Sequence, residues 1–331
     1  MHALPHRRGL IYAGLGAIAF SGKAIVAKLM YKMGADAISV VSLRMFMAFP
    51  MFLFMAWWAT RPGAEAMPVT RRQWWQIVGL GLTGYYLAST LDFLGLQYIS
   101  ASLERAILYL SPTLVLILSA IVYKHRIGPT RWAAVLLAYS GVAMVWLHDW
   151  YVAQLVSSQS AQGMSATQTI TWGSLLILAS ALCYAIYLMG SGQVVQQLGS
   201  LSLVGRASCV ACGLCLVQWA VVSLWTDGRV GSLALPWQAY ALSALNAVAC
   251  TVLPVWLVMR GIQLLGASLA AQVGMVGPLS TLWMAAWWLG EPITPRLMLG
   301  TAAILAGIVL LSRAGQPRQA EPVSVLPKVE A

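Results

Sequence analysis

The sequence predicts an all-α membrane protein with ten transmembrane helices, arranged as two inverted five-helix repeats. Three observations predict it. Only 9% of the 331 residues are charged and 60% are hydrophobic, whereas a soluble domain carries roughly 25% charged residues. Ten stretches are long and apolar enough to cross a bilayer, which takes about 20 helical residues. The second half of the chain also repeats landmarks of the first at a nearly constant offset. A mean hydropathy of +0.77 makes lipid the main solvent.

The predicted spans are 9–30, 36–58, 74–99, 101–123, 131–148, 172–190, 201–225, 237–260, 267–289 and 296–312. Arg7 and Arg8 before an apolar run imitate a secretory signal. Lys23 interrupts that run and further spans follow at once, so it reads as a retained first helix. Residues 1–8 form a short N-terminal segment, 9–148 the first repeat, 149–171 a Ser-, Gln- and Thr-rich external loop, and 172–312 the second repeat. The tail 313–331, with Pro317, Pro322 and Pro327, reads as disordered. Eight tryptophans (Trp57, Trp58, Trp74, Trp75, Trp150, Trp172, Trp225 and Trp237) fall at span ends, as an interfacial belt requires.

Charge sets the expected orientation. With the N-terminus inside, cytoplasmic segments and span edges hold 12 Lys and Arg residues against three outside (Lys32, Arg229, Arg296). Both termini are therefore expected in the cytoplasm and the protein in the cell inner membrane. The same distribution explains the net charge of +11 without a nucleic-acid partner. The five cysteines lie in apolar runs with no His or carboxylate to complete a metal site, and they read as packing residues.

The repeat is visible as residue matches. An offset of 166 residues superimposes Gly95 on Gly261, Gln97 on Gln263, Ala101-Ser102-Leu103 on Ala267-Ser268-Leu269, and Pro112 on Pro278. It also matches Ile127 with Ile293, Pro129 with Pro295 and Gly141 with Gly307, while an offset of 162 puts Arg44 over Arg206. Five helices is an odd number, so the second repeat enters the membrane from the opposite side. Secondary transporters use this arrangement for alternating access.

Several stretches carry a family resemblance: Phe20-Ser21-Gly22-Lys23-Ala24-Ile25, Leu43-Arg44-Met45, the run from Asp92 to Ala101, and Gly290-Glu291-Pro292-Ile293-Thr294. In these the chain resembles EamA-like members of the drug/metabolite transporter superfamily over roughly residues 9–312. The resemblance implies ten helices, a central cavity lined by helices 1–4 and 6–9, and peripheral helices 5 and 10. It implies no particular substrate, because the superfamily moves amino acids, sugars, nucleotide derivatives and drugs. At the corner matching Gly290-Glu291-Pro292-Ile293 the first repeat has Lys124-His125-Arg126-Ile127, without the acidic residue.

An ionisable group within a span costs about 2.5–3.5 kcal/mol on insertion scales and needs an explanation. At about 1.5 Å per residue, Lys23, Arg44 and Asp92 lie roughly 9, 12 and 10 Å below the external end of their helices, and Glu104 and Arg105 about 5 Å. Four helices thus bring charge to one layer. Two readings are open and compatible. The layer lines a cavity and offers Lys23 and Arg44 to an anionic group, or it is a salt-bridge network joining Asp92 to Lys23 or Arg44, and Arg105 to Glu104. Asp92 or Glu104 would then be the candidates to exchange a partner for a coupling proton.

Pro112 and Pro278 interrupt matching helices, which points to a transport site. Tyr85, Gln97, Tyr109, Tyr184, Asn246 and Gln272 complete the candidate wall, with Tyr86, Ser111, Tyr187 and Gln263 beside them. The expected function is a secondary transporter exporting a small polar metabolite, an amino acid or related compound. Its partners are the lipid bilayer, the small-molecule substrate and possible coupling protons. The alternative is a lipid translocase or channel. No catalytic constellation, His-rich metal spacing or nucleotide-binding loop occurs, so neither an enzyme nor a cofactor is expected.

Overall fold

The computed structural model describes residues 3–61, 69–124, 126–156, 165–265 and 273–313. Among the described residues, ten helical elements follow one another along the chain. They are α1 (Ala3–Lys32), α2 (Ala37–Trp58), α3 (Arg71–Leu96), α4 (Ala101–Tyr123) and α5 (Pro129–Val156). The second half supplies α6 (Ala166–Leu198) and α7 (Ser200–Trp225). In α8 the segments Trp237–Ala247, Val248–Val252 and Leu253–Leu265 are continuous. Next come α9, described over Val276–Met284 and Ala285–Leu289, and α10 (Pro295–Arg313). Among the described residues, all but α9 are long and apolar enough to cross a membrane. The predicted start of α9, with Gln272, lies outside the described residues.

One expectation changes. The segment 149–171, read as a loop, is helical from 149 to Val156 and again from Ala166. Ser165 caps α6 through a capping box with Gln168, which satisfies donors that would otherwise be unpaired.

The packing follows the repeat. α2 packs on α7 and α5 on α10, each against its own repeat mate. The remaining contacts come in matched pairs: α1 with α8 and α3 with α6, then α1 with α9 and α4 with α6. This is what a two-fold axis in the membrane plane generates from two inverted copies. Close approach uses small residues. A Cβ on Gly141 would lie 2.5 Å from the Gly300 carbonyl oxygen, and one on Gly95 2.8 Å from that of Gly173. Gly81, Gly84, Gly300 and Gly307 sit in such contacts, whereas Gly79 faces open space.

The repeat also matches irregularities. α3 widens to a π-helix over Gly81–Leu87 and α8 over Val248–Val252, positions that coincide at the 166-residue offset. Helices α4 and α9 each break and restart. α4 turns at Tyr109–Leu110 and resumes at Ser111 with Pro112 in its first turn. α9 turns at Met275 and resumes at Val276, just before Pro278. Proline lacks the donor that would bond the carbonyl four residues back. Those carbonyls find others: Leu108 accepts from Ser111 Oγ at 2.5 Å, and Gly274 accepts from Tyr109 OH at 3.0 Å.

The described ends Ala3 and Arg313 lie on one face, here the terminal face, and the connections 33–36, 97–100, 226–236 and 290–294 lie on the opposite, distal face. The distal connections are tied across the repeats. Asp36 caps α2 by accepting from Ser39 N at 2.9 Å, and its other oxygen accepts from Gly231 N at 2.8 Å. Ser39 Oγ donates to the Ser232 carbonyl at 2.9 Å, and Lys32 Nζ to that of Leu289 at 3.3 Å.

Candidate functional site

Five ionisable side chains from α1 to α4 meet in one buried layer. Lys23 (α1), Arg44 (α2), Asp92 (α3), Glu104 and Arg105 (α4) are each at most 6% exposed. Lys23 Nζ donates to Asp92 Oδ2 and lies 3.8 Å from Glu104 Oε1. Arg105 Nε lies 3.8 Å from Glu104 Oε2, and Arg105 Nη2 donates to the Phe20 carbonyl at 3.2 Å. The structure therefore chooses Lys23 as the partner of Asp92 and keeps the expected Arg105–Glu104 pairing.

Arg44 is held differently. Its guanidinium stacks 4.6 Å from the centroid of the Phe93 ring, and Nη1 donates to Thr251 Oγ1 at 3.4 Å. Lys23 approaches the same ring, 5.5 Å from its centroid. Phe93 is thus a wedge between the two cations and offers each a share of its negative face. Lys23, Arg44 and Arg105 stand against Asp92 and Glu104, so one positive charge is in excess. Arg44 Nε and Nη2, Asp92 Oδ1 and both Glu104 oxygens are buried without a hydrogen-bond partner.

The second repeat closes the layer with neutral groups. Asn246 Nδ2 donates to the Lys23 carbonyl at 3.4 Å, and Thr251 Oγ1 to the Asn246 carbonyl at 2.9 Å across the α8 π-turn. Ser21 Oγ donates to the Gly277 carbonyl at 2.8 Å. Tyr109 and Pro278 line a small cavity with Ser102, Arg105, Leu282 and Ile304.

On the terminal side of this layer the inner faces of the helices open. On α1 the stripe Ala13, Gly16, Phe20, Lys23, Ala27 is buried except at Phe20, which is 38% exposed. On α6 the stripe Gly173, Ile177, Ser180, Tyr184, Tyr187, Ser191 is buried except at Tyr184, at 39%. Pro112 is exposed on the α4 face that carries Arg105. Exposure in the middle of an otherwise buried stripe does not follow the spacing of a lipid-facing side. Tyr184 stacks on Tyr187 at 5.8 Å between centroids, and Tyr187 OH lies 3.1 Å from Tyr85 OH.

The predicted residues thus fall into connected groups with one exception and one omission. Lys23, Arg44, Asp92, Glu104, Arg105 and Asn246 form the charged layer. Tyr109, Pro112 and Pro278 form the helix breaks, and Tyr85 with Tyr184 forms an aromatic wall. Gln97 belongs to none of them: it is the exposed C-cap of α3 at the distal surface. Gln272 lies outside the described residues. Phe20, Phe93 and Thr251 escaped sequence reasoning because their types are ordinary in a membrane helix. Only their contacts with cations single them out.

Ten helices in two inverted repeats around a charged, partly open centre define a membrane transporter. A model of the EamA-like transporter family matches residues 7–147 and again 171–313, and the chain belongs to that family. It is 28% identical over 301 residues to the transporter YcbK of Bacillus subtilis, covering 89% of this chain and 90% of that one. It is 26% identical over 213 residues to the inner membrane transporter YicL of Salmonella typhimurium, covering 64% of each. A solved crystal structure shares the fold with a TM-score of 0.59 at 15% identity, over 92% of this chain and 98% of that chain.

Proposed function

We propose that this transporter is a secondary carrier that exports a small polar metabolite, an amino acid or related compound, by alternating access. The terminal face is cytoplasmic and the membrane is the cell inner membrane. The observation that carries the reading is the charged layer. Five buried ionisable groups, one cation in excess, lie among helices whose otherwise buried faces expose Phe20, Pro112 and Tyr184. A buried charge left partly unpaired costs several kcal/mol, and a carrier recovers that cost when a polar solute or a proton completes the layer. Arg44, with two unpartnered donors, takes the anionic end of the solute, and the aromatic wall of Tyr85 and Tyr184 takes its apolar part. Glu104, wholly buried and without a hydrogen-bond donor, is the group that binds a coupling proton.

The reading is tested by counterflow in proteoliposomes loaded with a small-metabolite extract. A carrier gives saturable uptake that unlabelled solute inside accelerates. Flux that neither saturates nor shows counterflow belongs to a channel, and movement of lipid analogues between leaflets belongs to a translocase. Either result ends the carrier reading.

A further inference from the structure

We propose that Glu291 is a gating residue. Together with Asp149 it latches the distal end of α4, and the missing counterpart on the terminal face makes the distal-closed form the resting state. The proposal rests on the carrier reading above and goes beyond it by assigning a latch and a direction of bias.

The first turn of a helix has backbone donors with no partner inside the helix. In α4 each of the first three is met. Ala101 N donates to Glu291 Oε1 at 2.8 Å, Ser102 N to Glu291 Oε2 at 3.3 Å, and Leu103 N to Ser100 Oγ at 3.0 Å. Ser102 Oγ adds a third bond to Glu291, at 2.8 Å. Ser100 is held in turn by Asp149, which accepts from its N at 3.0 Å and its Oγ at 2.9 Å. Asp149 comes from α5 of the same repeat, whereas Glu291 comes from the α9–α10 connection of the other. The Glu291 bonds therefore cross between the repeats at the distal face, and opening that face would have to break them. They are charge-assisted and lie on the positive end of the helix dipole, which makes them the strong kind.

An inverted repeat with identical sequences would carry the same latch on both faces. This chain does not. The start of α4, Ala101-Ser102, is matched by Ala267-Ser268, but the residue in register with Glu291 is His125, flanked by Lys124 and Arg126. Positive charge at a helix N-terminus is unfavourable. By sequence register the mirror-image contact has no carboxylate at the position of Glu291 and has Lys124 and Arg126 beside it; His125 and residues 266–272 lie outside the described residues. The two end states are unequal, and the distal-closed one is favoured. The exposure of Phe20 and Tyr184 on the terminal side of the charged layer agrees with that form.

The test uses the purified full chain in detergent, with amide exchange read over 97–108 and hydroxyl-radical oxidation read at Phe20 and Tyr184. In Glu291→Gln, exchange at Ala101 and Ser102 should rise by about tenfold or more, the factor carried by one hydrogen bond to a charged group. Oxidation at Phe20 and Tyr184 should fall severalfold as the terminal side closes. His125→Glu installs the missing carboxylate without removing a distal bond, and it should lower the same two oxidation rates. If exchange over 97–108 rises while Phe20 and Tyr184 oxidise at the wild-type rate in both variants, Glu291 is a helix cap and not a gate. Should Glu291→Gln fail to fold, His125→Glu decides alone. A protein that shows counterflow but no shift in oxidation keeps the carrier reading and loses the latch.

Discussion

Asp92→Asn probes the charged layer at the point where its pairing is least replaceable. Asp92 is 2% exposed and is the hydrogen-bonded partner of Lys23. Removing one member of a buried pair costs about 3–5 kcal/mol, because the other charge is left in a medium that solvates it poorly. Lys23 retains a second carboxylate, Glu104, at 3.8 Å. A unit pair about 4 Å apart interacts by roughly 4 kcal/mol at an effective dielectric of 20. Glu104 already serves Arg105 at the same distance, so only part of that is new. The expected loss is therefore at the lower end, about 3 kcal/mol.

The assay is unfolding of the detergent-purified protein across a double-mutant set. Adding Lys23→Gln to Asp92→Asn should recover most of the loss, since the uncompensated ammonium goes with it. Adding Arg44→Gln should not, because Arg44 is held by Thr251 and the Phe93 ring rather than by Asp92. Equal rescue by both, or rescue by Arg44→Gln alone, would falsify the pairing. Transport is then measured on the rescued protein. Folding restored without transport places the pair in the transport cycle, and restoration of both makes it a strut.

Two further outcomes are expected. Tyr109→Phe removes the donor to the Gly274 carbonyl and should cost about 1–3 kcal/mol. Pro278→Ala supplies a backbone N–H to that same carbonyl, so it should suppress the Tyr109→Phe defect in thermal unfolding; an additive double mutant would show that the hydroxyl serves another purpose. Reporter fusions at the C-terminus should read cytoplasmic and fusions within 157–164 external, and a C-terminus reading external would reverse the proposed orientation.

Much of the fold was legible in the sequence because a bilayer imposes simple rules. Span length follows from bilayer thickness, and an odd number of spans per repeat dictates inversion. The matched prolines announced the broken helices, since proline removes a specific backbone donor. The charged layer was legible for a similar reason. Depth in a helix is linear in residue number, so residues from four helices could be placed at one level before any contact was known.

What was not legible depends on rotation about the helix axes and on backbone irregularity. Asp92 had two cations at a suitable depth, and depth alone could not choose between Lys23 and Arg44. The π-turns in α3 and α8 leave no fixed residue signature, yet the one in α8 lets Thr251 bond the Asn246 carbonyl and face Arg44. Gln97 was placed in the candidate wall as a polar residue near the paired prolines. It caps the end of α3 at the surface, where a polar residue needs no partner inside the protein.

The places where the two repeats disagree carry the functional argument further than the places where they agree. At the 166-residue offset Asp92, Glu104 and Arg105 correspond to Val258, Ala270 and Ala271, so these charges have no counterpart in the second repeat. The layer therefore lies to one side of the pseudo-two-fold axis, at a depth nearer the distal face. In the proposed cycle the distal side of the layer is closed to water while the Glu291 bonds hold and is hydrated when that side opens. Hydrating a partly unpaired cluster is favourable, and breaking the Glu291 bonds opposes it. A symmetric scaffold with symmetric charges would leave the two states equal in energy. In the proposed cycle the buried charge layer and the carboxylate latch act against each other on the same face, so a solute that neutralises the layer would change the balance between the two states.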